Sequence, residues 1–171
     1  LVQSGEGTEI DRSMVEQLAD PLVHMIRNAV DHGIETVEQR RAAGKPSEGT
    51  VELSAYHEGG SIVISISDDG KGLDPDRIRA KALDKGLLEV DEEVSDQEIL
   101  QYIFKSGFST AEKITDVSGR GVGMDAVINV IRNQLDGDIT IDSQLGKGAA
   151  FTLVMPLDRS ANEGIVDALV T

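Results

Sequence analysis

The side chains with the most chemical potential lie in one segment that has helical periodicity. Four polar residues recur there at spacings of three and four: His24, Asn28, Asp31 and His32. A helix would carry them along one stripe. An Asn carbonyl oxygen is a hard ligand that suits Mg²⁺, and a nearby imidazole, or the guanidinium of Arg27, can hold phosphate oxygens. The alternative is an ordinary hydrated helix surface, although Asn and His are poor choices for one. The stripe therefore predicts one wall of a triphosphate site.

A second polar group directly follows a strand-like run of alternating isoleucines. It consists of two acids, two glycines and a lysine: Asp68, Asp69, Gly70, Lys71 and Gly72. A buried carboxylate at a strand end can accept a hydrogen bond from an exocyclic amine, and glycines let backbone approach a flat ring. Adenine presents such an amine, whereas guanine presents a carbonyl there. The alternative is an ordinary turn. The nucleotide interpretation predicts an adenine site formed by Asp68, Gly70 and Gly72.

A third group is rich in glycine and lies where a helix is expected to begin. It contains Gly119, Arg120, Gly121, Val122, Gly123 and Met124. Backbone N–H groups at the start of a helix can bind phosphate. The spacing also fits the dinucleotide fingerprint G-x-G-x-x-A, but that motif needs a strand just before the glycines, and a polar segment precedes them here. The Walker pattern fails as well, because no Gly-Lys pair is followed by Ser or Thr.

The elements that must position these groups alternate between helical and strand periodicity. Residues 10–32 predict a long helix, with a kink or break near Asp20 caused by Pro21 and with Gly33 as its C-cap. Further helices are predicted over 36–43, 75–85, 95–104 and 122–135, and strands over 50–56, 61–67, 138–143 and 149–155. Residues 105–120 have little periodicity, which indicates a long functional loop.

Composition limits the class of protein. The 171 residues suit one globular domain, and 39% hydrophobic with 27% charged residues is ordinary for a soluble fold. The formal net charge of −15 argues against nucleic acid, whose phosphates need a basic surface. There is no apolar run near the roughly 18 residues of a membrane span, no secretory signal and no cysteine. We expect a cytoplasmic protein without membrane insertion. Because the chain does not begin with Met, we also expect it to be part of a longer one.

Taken in order, these motifs resemble the boxes of the GHKL ATPases, in the version typical of CheA-type histidine kinases. Five boxes occur in the family's order: an asparagine box at 24–33, D-x-G-x-G at 68–72, F-x-x-G-F-S-T at 104–110, S-G-R-G-V-G-M-D at 118–125, and a last glycine pair at 146 and 148. Ala149 stands where the last box usually has Thr. The resemblance spans about residues 6–157, and five ordered boxes are far more specific than any single one.

The resemblance implies a fold and a domain arrangement. The fold would be the Bergerat fold, an α/β two-layer sandwich whose mixed, mostly antiparallel sheet is covered on one face by helices. ATP would lie between the helical layer and a lid formed by about residues 105–120. Residues 1–157 would then be the ATP-binding catalytic domain. Residues 158–171 would be a C-terminal tail or the start of a following regulatory domain.

The resemblance also implies roles for individual residues. Asn28 would coordinate Mg²⁺, Asp68 would bind the adenine amino group, and three residues would contact phosphates in the catalytic centre: His24, Arg27 and His32. Lys105, Lys113 and Arg120 are candidate lid cations. The remaining residues implied in nucleotide binding are Asp31, Gly70, Gly72, Ser109, Thr110, Gly119, Gly121, Val122, Gly123 and Met124.

The implied activity is transfer of the ATP γ-phosphate to a histidine on a separate phosphotransfer domain, of the same or another chain. Dimerisation and regulatory domains would lie outside these residues, and the isolated domain would be a monomer. His24 falls where hydrolytic relatives carry a glutamate that activates water, which suits a kinase. Two alternatives remain. One is a nucleotide-binding regulator or degenerate ATPase without transferase activity, and the other is a serine kinase of the anti-sigma type, which His24 and the S-G-R-G-V-G-M-D string disfavour.

Overall fold

A computed structural model describes residues 1–5, 10–108 and 124–157. Within these ranges one five-stranded sheet has the order β1-β2-β3-β5-β4. Its strands are β1 (Val2–Ser4), β2 (Val51–Glu58), β3 (Ser61–Asp68), β4 (Asp138–Gln144) and β5 (Gly148–Pro156). The pairing of β1 with β2 is parallel, and the other three pairings are antiparallel. The expected mixed, mostly antiparallel sheet is therefore confirmed, with β1 as a strand that the sequence did not predict.

Two hairpins supply the four long strands, as the alternating patterns predict. In the first, Gly59 and Gly60 both have positive φ, 55° and 80°, which is the backbone of the two-residue turn that matches strand twist. Its register runs from Glu58 opposite Ser61 to Val51 opposite Asp68. On its other side, β3 pairs Asp68 with Ala149 at the start of β5. This register puts Asp68 at one end of the sheet, between two neighbouring strands.

Five helices accompany the sheet in the described ranges. They are α1 (Arg12–Asn28), which continues as a π turn (Ala29–Gly33); α2 (Val37–Ala42); α3 (Pro75–Asp84); α4 (Asp96–Leu100), which continues as a 3-10 turn (Gln101–Phe104); and α5 (Met124–Ile128), which continues as a π turn (Asn129–Gln134). Side-chain caps explain where several begin. Thr36 and Gln39 form a capping box at α2, and Ser95 accepts from the Glu98 N–H at α4. None of the helices described here combines the length and apolarity that a bilayer crossing requires.

Two details of the first helix differ from expectation. The helix does not break near Asp20, one of the two outcomes expected there, because α1 runs without interruption through the buried Pro21. Leu18 and Met25, 2% and 3% exposed, anchor the helix to the core on either side, and this packing outweighs one lost backbone hydrogen bond. Gly33 is not the C-cap either. It is the last residue of the π turn, and Ile34 caps the helix with extended backbone and an N–H bond to the Ala29 carbonyl at 2.9 Å.

The core lies between the helices and one face of the sheet. Alternate residues of β3, Ile62, Ile64 and Ile66, are at most 2% exposed, and each such side chain contributes about 1.5–3 kcal/mol when it is fully buried. The other buried core residues of the sheet and helices include Met14, Leu18, Met25, Val127, Ile131, Leu135, Ile139, Ile141, Leu153 and Met155. This arrangement is a two-layer α/β sandwich, as expected.

Candidate functional site

A cavity of about 340 Å³ opens between the end of α1 and the sheet. Its lining residues come from the helix end, the end of β3, the following glycine segment and β5: Met25, Asn28, Ala29, His32, Gly33, Ile66, Asp68, Lys71, Gly72, Leu73, Ala149 and Phe151. Polar groups predicted on the helix and after β3 therefore share one cavity. Apolar side chains line the rest of it, which is the usual composition of a small-molecule site.

Asp68 places its carboxylate in this cavity, at the end of β3. Its Oδ1 accepts a hydrogen bond from the Gly70 N–H at 2.9 Å. Burial raises the pKa of Asp68, hydrogen bonds from the Gly70 and Ala149 backbones oppose this, and the charges of Asp69 and Glu35 add to the rise. The net direction is upward. Asp68 is thus a partly desolvated acceptor with one oxygen already oriented by backbone, ready to bind a donor in the cavity.

The two glycines after Asp68 are required by the protein's own backbone. A Cβ on Gly70 would lie 2.0 Å from the Gly33 carbonyl oxygen, and one on Gly72 would lie 2.4 Å from the Gln144 carbonyl oxygen. Gly72 also has a φ of +71°, which side chains disfavour. From the sequence, these glycines were expected to let the backbone approach the adenine ring. The structure shows that they first allow the segment to fit between the end of α1 and the β4–β5 turn.

Asn28 and His24 form a pair on the last turns of α1. The Asn28 Nδ2 lies 3.1 Å from the His24 Nε2. An amide nitrogen is always a donor, so the imidazole Nε2 accepts and the proton of a neutral ring is on Nδ1. This orientation leaves the Asn28 Oδ1 to accept from a ligand or to bind a cation. His24 therefore reaches the cavity through Asn28, which itself lines the wall.

The remaining polar residues of the helix are placed differently from one another. Arg27, Asp31 and His32 are all exposed, but His32 lines the cavity, whereas Arg27 and Asp31 are not among its lining residues. The π turn explains the difference between His32 and Asp31, because the Ile34 N–H bonds five residues back to Ala29 and widens the last turn. Residues after Asn28 then lose the α-helical spacing that predicted a single stripe.

Phe104, the residue just before the predicted lid, packs against the cavity lining. Phe104 is 4% exposed and packs edge-on against Phe151 of the cavity lining, with 6.1 Å between ring centroids. Phe108 is also buried, at 6% exposed. Lys105 is exposed, with its Nζ 3.9 Å from the centroid of the Tyr102 ring. Met124 is partly buried against the core. The other predicted residues of this region, Ser109, Thr110, Lys113, Gly119, Arg120, Gly121, Val122 and Gly123, lie outside the described residues.

A buried ion network lies behind the cavity, and the sequence gave no sign of it. Its members are Glu35, Arg40, Lys45 and Asp69. Arg40 is 1% exposed and bonds to Glu35 and Asp69 at 3.0 Å each. Burial pushes the pKa of Glu35 upward, but the hydrogen bond from Lys45 and the charges of Lys45 and Arg40 bring it below its ordinary value. Lys71, on the cavity lining, was also not predicted as a site residue.

In the described part of the chain, no group of three or more His, Asp or Glu side chains could hold a metal ion.

Comparison with protein families gives the context for this geometry. A family model described as "Histidine kinase-, DNA gyrase B-, and HSP90-like ATPase" matches residues 17–159. The chain belongs to this ATPase family. Membership implies a site for ATP, and the cavity between α1 and the sheet lies within the matched residues.

Two relatives within the family resemble the chain over nearly its whole length. The chemotaxis protein CheA of Rhizobium meliloti is 51% identical over 97% of this chain and 22% of that protein. The sensor histidine kinase CheAY of Helicobacter pylori is 55% identical over 92% of this chain and 20% of that protein. The chain thus spans about a fifth of the length of these relatives.

The family's fold also appears among solved structures. The blue-light activated histidine kinase of Erythrobacter litoralis EL346 superposes with a TM-score of 0.55 at 14% identity, covering 94% of this chain and 36% of that one. At this identity the likeness concerns the fold alone. It agrees with the two-layer sandwich described above.

Proposed function

We propose that this chain is the ATP-binding catalytic domain of a CheA-like histidine kinase. Such a kinase transfers the ATP γ-phosphate to a histidine on a separate phosphotransfer domain. The observation that carries the proposal is the cavity shared by the Asp68 carboxylate and Asn28, whose amide pairs with His24, in a chain about half identical to a segment of CheA. A cytoplasmic location and a monomeric isolated domain are part of the proposal.

At the adenine end, Asp68 is proposed to accept a hydrogen bond from the 6-amino group. The Gly70 N–H orients one carboxylate oxygen, and Ile66 and Phe151 offer apolar surface to the ring. Guanine would place a carbonyl oxygen against the carboxylate, which is repulsive. Because a charged acceptor forms roughly twice as strong a hydrogen bond as a neutral one, this single contact supports discrimination between the two bases.

At the phosphate end, Asn28 Oδ1 is proposed to bind Mg²⁺. This ion usually keeps several waters and takes one or two protein oxygens together with substrate phosphates, so a single amide oxygen fits its preference. The ion would neutralise developing charge on the phosphates. His24 orients Asn28 by accepting from its amide, and His32 and Lys71 line the cavity nearby. We propose phosphate contacts for His24, His32 and Arg27, of which His32 is the one that lines the described cavity, together with the lid cations Lys105, Lys113 and Arg120.

The phosphate acceptor is proposed to come from outside these residues. The chain has three histidines, and two of them, His24 and His32, belong to the site wall. The third, His57, pairs with Ile62 near the hairpin turn, six residues along β3 from Asp68. At about 3.3 Å per residue this separation is roughly 20 Å, too far for phosphate transfer from a nucleotide in the cavity. An external phosphotransfer domain, held near by dimerisation and regulatory domains of the full protein, meets the requirement.

The test is incubation of the chain with labelled Mg·ATP, alone and with a cognate phosphotransfer domain. We expect no label on the chain itself and slow, acid-labile labelling of the added domain, because separating the two domains removes an effective concentration of order millimolar. Asn28→Ala should abolish the transfer. Tight ATP binding without any transfer would instead indicate a nucleotide-binding module. Acid-labile label on the chain alone, lost in His57→Gln, would overturn the external acceptor.

A further inference from the structure

The buried ion network of Glu35, Arg40, Lys45 and Asp69 sits directly behind the segment that follows Asp68. Two cations face two anions in it, so the group has no net charge. Arg40 donates to the carbonyl of Pro46 at 2.7 Å and, through its two terminal nitrogens, to both carboxylates. The Arg40 and Glu35 side chains are 1% and 10% exposed, so removing a partner of either one leaves a buried charge unpaired, whereas the Asp69 side chain is 45% exposed.

Lys45 shares one acceptor with Arg40, because the Arg40 Nη1 also donates to the Asp69 carbonyl at 3.2 Å, but of these two cations Lys45 is the one that binds the Gly70 carbonyl. Its Nζ donates to the Glu35 Oε2 at 2.7 Å, to the Asp69 carbonyl at 3.0 Å and to the Gly70 carbonyl at 2.8 Å. An ammonium has three donors, so all of them are used here. Two of the three bind successive backbone carbonyls, next to the residue that reads the base in the proposed function.

Peptide geometry gives these two contacts a consequence. The Asp69 carbonyl and the Gly70 N–H belong to one planar peptide unit, so fixing the carbonyl also fixes the direction of the N–H. That N–H is the donor to the Asp68 Oδ1 at 2.9 Å. Hydrogen bonds in series also polarise one another, so a cation on the carbonyl strengthens the bond that the N–H makes.

The next peptide unit repeats the arrangement toward the other end of the cavity. Its carbonyl, that of Gly70, binds Lys45, and its N–H, that of Lys71, donates to the Gly33 carbonyl at 2.9 Å. Gly33 ends the helical segment that carries Asn28 and lines the cavity. One ammonium thus holds both the carboxylate of the adenine end and the helix end beside the phosphate wall.

We propose that Lys45 is a positioning residue for nucleotide recognition. It acts through two peptide units to hold the Asp68 carboxylate and the end of α1 in fixed positions relative to each other. It does not contact the nucleotide. The inference rests on the proposed function, because it assumes that Asp68 binds the adenine amino group. Glu35 supplies the counter-charge that keeps the ammonium in place.

The experiment compares affinities for ATP and for purine riboside triphosphate, which is ATP without the 6-amino group. Lys45→Met removes the ammonium at nearly constant length. We expect the ratio of the two affinities to fall about three- to tenfold, the equivalent of one hydrogen bond of ordinary net strength. Arg79→Met is the matched control, because Arg79 also binds a backbone carbonyl and a carboxylate, those of Val94 and Asp96, at 2.9 and 3.0 Å. It should lower thermal stability and leave the ratio unchanged.

Each outcome decides a different question. If the wild-type protein binds ATP and purine riboside triphosphate with nearly equal affinity, both the adenine assignment and this inference are wrong. If the wild-type protein clearly prefers ATP and folded Lys45→Met keeps the same preference, this inference is wrong but the proposed function is not affected. If Lys45→Met does not fold, Lys45→Arg replaces it. A planar guanidinium keeps the charge beside Glu35 but cannot direct one nitrogen to three converging acceptors, so the ratio should still fall. If Lys45→Arg has the same ratio of affinities as the wild-type protein, the inference is wrong.

Discussion

Replacing Asp68 by Asn should weaken ATP binding without lowering the stability of the folded protein. The substitution keeps the shape of the side chain and one acceptor oxygen. The Gly70 N–H bonds to the Asp68 Oδ1 and the Ala149 backbone also donates to this carboxylate, so both favour an acceptor here; an amide oxygen would take the Oδ1 place and put the NH₂ in the place of Oδ2. A donor would then face the donor that adenine presents. We expect Asp68→Asn to lose the whole contact with the base.

The size of the loss follows from the charge on the acceptor. A hydrogen bond to a charged group contributes about 1.5–3 kcal/mol net, which corresponds to about a 10- to 150-fold weaker ATP affinity. For purine riboside triphosphate, which lacks the amino group, Asp68→Asn should change little. Calorimetric titration of both nucleotides into both proteins completes a thermodynamic cycle whose coupling term is the contact itself.

Asp68→Asn should leave the stability of the folded protein unchanged or raise it slightly. The pKa of Asp68 is raised in the folded protein, mainly by burial, so folding favours the protonated acid. The stabilising contribution of the protonated form is present below the ordinary carboxyl pKa and is lost as pH rises through the folded-state pKa. At pH 7 the ionised group therefore costs stability, and Asp68→Asn should melt at the same temperature as wild type or slightly higher.

Asp84→Asn is the matched control, because Asp84 is an exposed carboxylate on α3 that lines neither cavity beside Asp68. It should leave both affinities unchanged. Two results would refute the reasoning on Asp68. One is an equal loss of affinity for both nucleotides, which would place the effect on the phosphates or on the fold. The other is a marked fall in the melting temperature of Asp68→Asn, which would mean that the carboxylate is structural.

Three further predictions concern the metal, the glycine segment and the network. Asn28→Ala should abolish the Mg²⁺-dependent part of ATP affinity with little change in circular dichroism, and unchanged Mg·ATP titrations would exclude it as the ligand. Gly72→Ala should destabilise more than Gly86→Ala in chemical unfolding: both have φ near +70°, worth about 1–2 kcal/mol, but only Gly72 also meets a backbone oxygen. Arg40→Ala should cost about 3–5 kcal/mol of unfolding free energy, whereas exposed Arg41→Ala should cost little, and similar losses would contradict the network.

Local patterns were enough for the elements and for two walls of the site. The alternation over 50–56 and 61–67 predicted the strands of the first hairpin, and the helices predicted from residues 36 and 95 match α2 and α4, which the structure shows to be capped by Thr36 and Ser95. These features depend on a few neighbouring residues, so the sequence carries them directly. The ordered boxes pointed to Asp68, which the structure places at the end of β3, and the family match confirmed the resemblance to this ATPase family.

Other features had no local signal, because they depend on contacts between distant segments. Pro21 alone predicts a kink or break in the helix, and only the core beneath α1 keeps the helix continuous. Three exposed residues formed β1 because they could pair with the parallel edge of β2. The π turn after Asn28 separated Asp31 from the side chains that line the cavity. In each case tertiary packing outweighed the periodicity that the prediction used.

The network behind the cavity shows the same limit most directly. Arg40 and Arg41 are adjacent in the sequence and identical in type, yet Arg40 is 1% exposed and Arg41 is exposed. Arg40 meets Asp69 across 29 positions of the chain, and Lys45 meets Gly70 across 25. The sequence by itself determined which residues could read a nucleotide. Tertiary structure decided which cations hold them in place, since burial of a charge is set by partners that the fold brings together from separate segments.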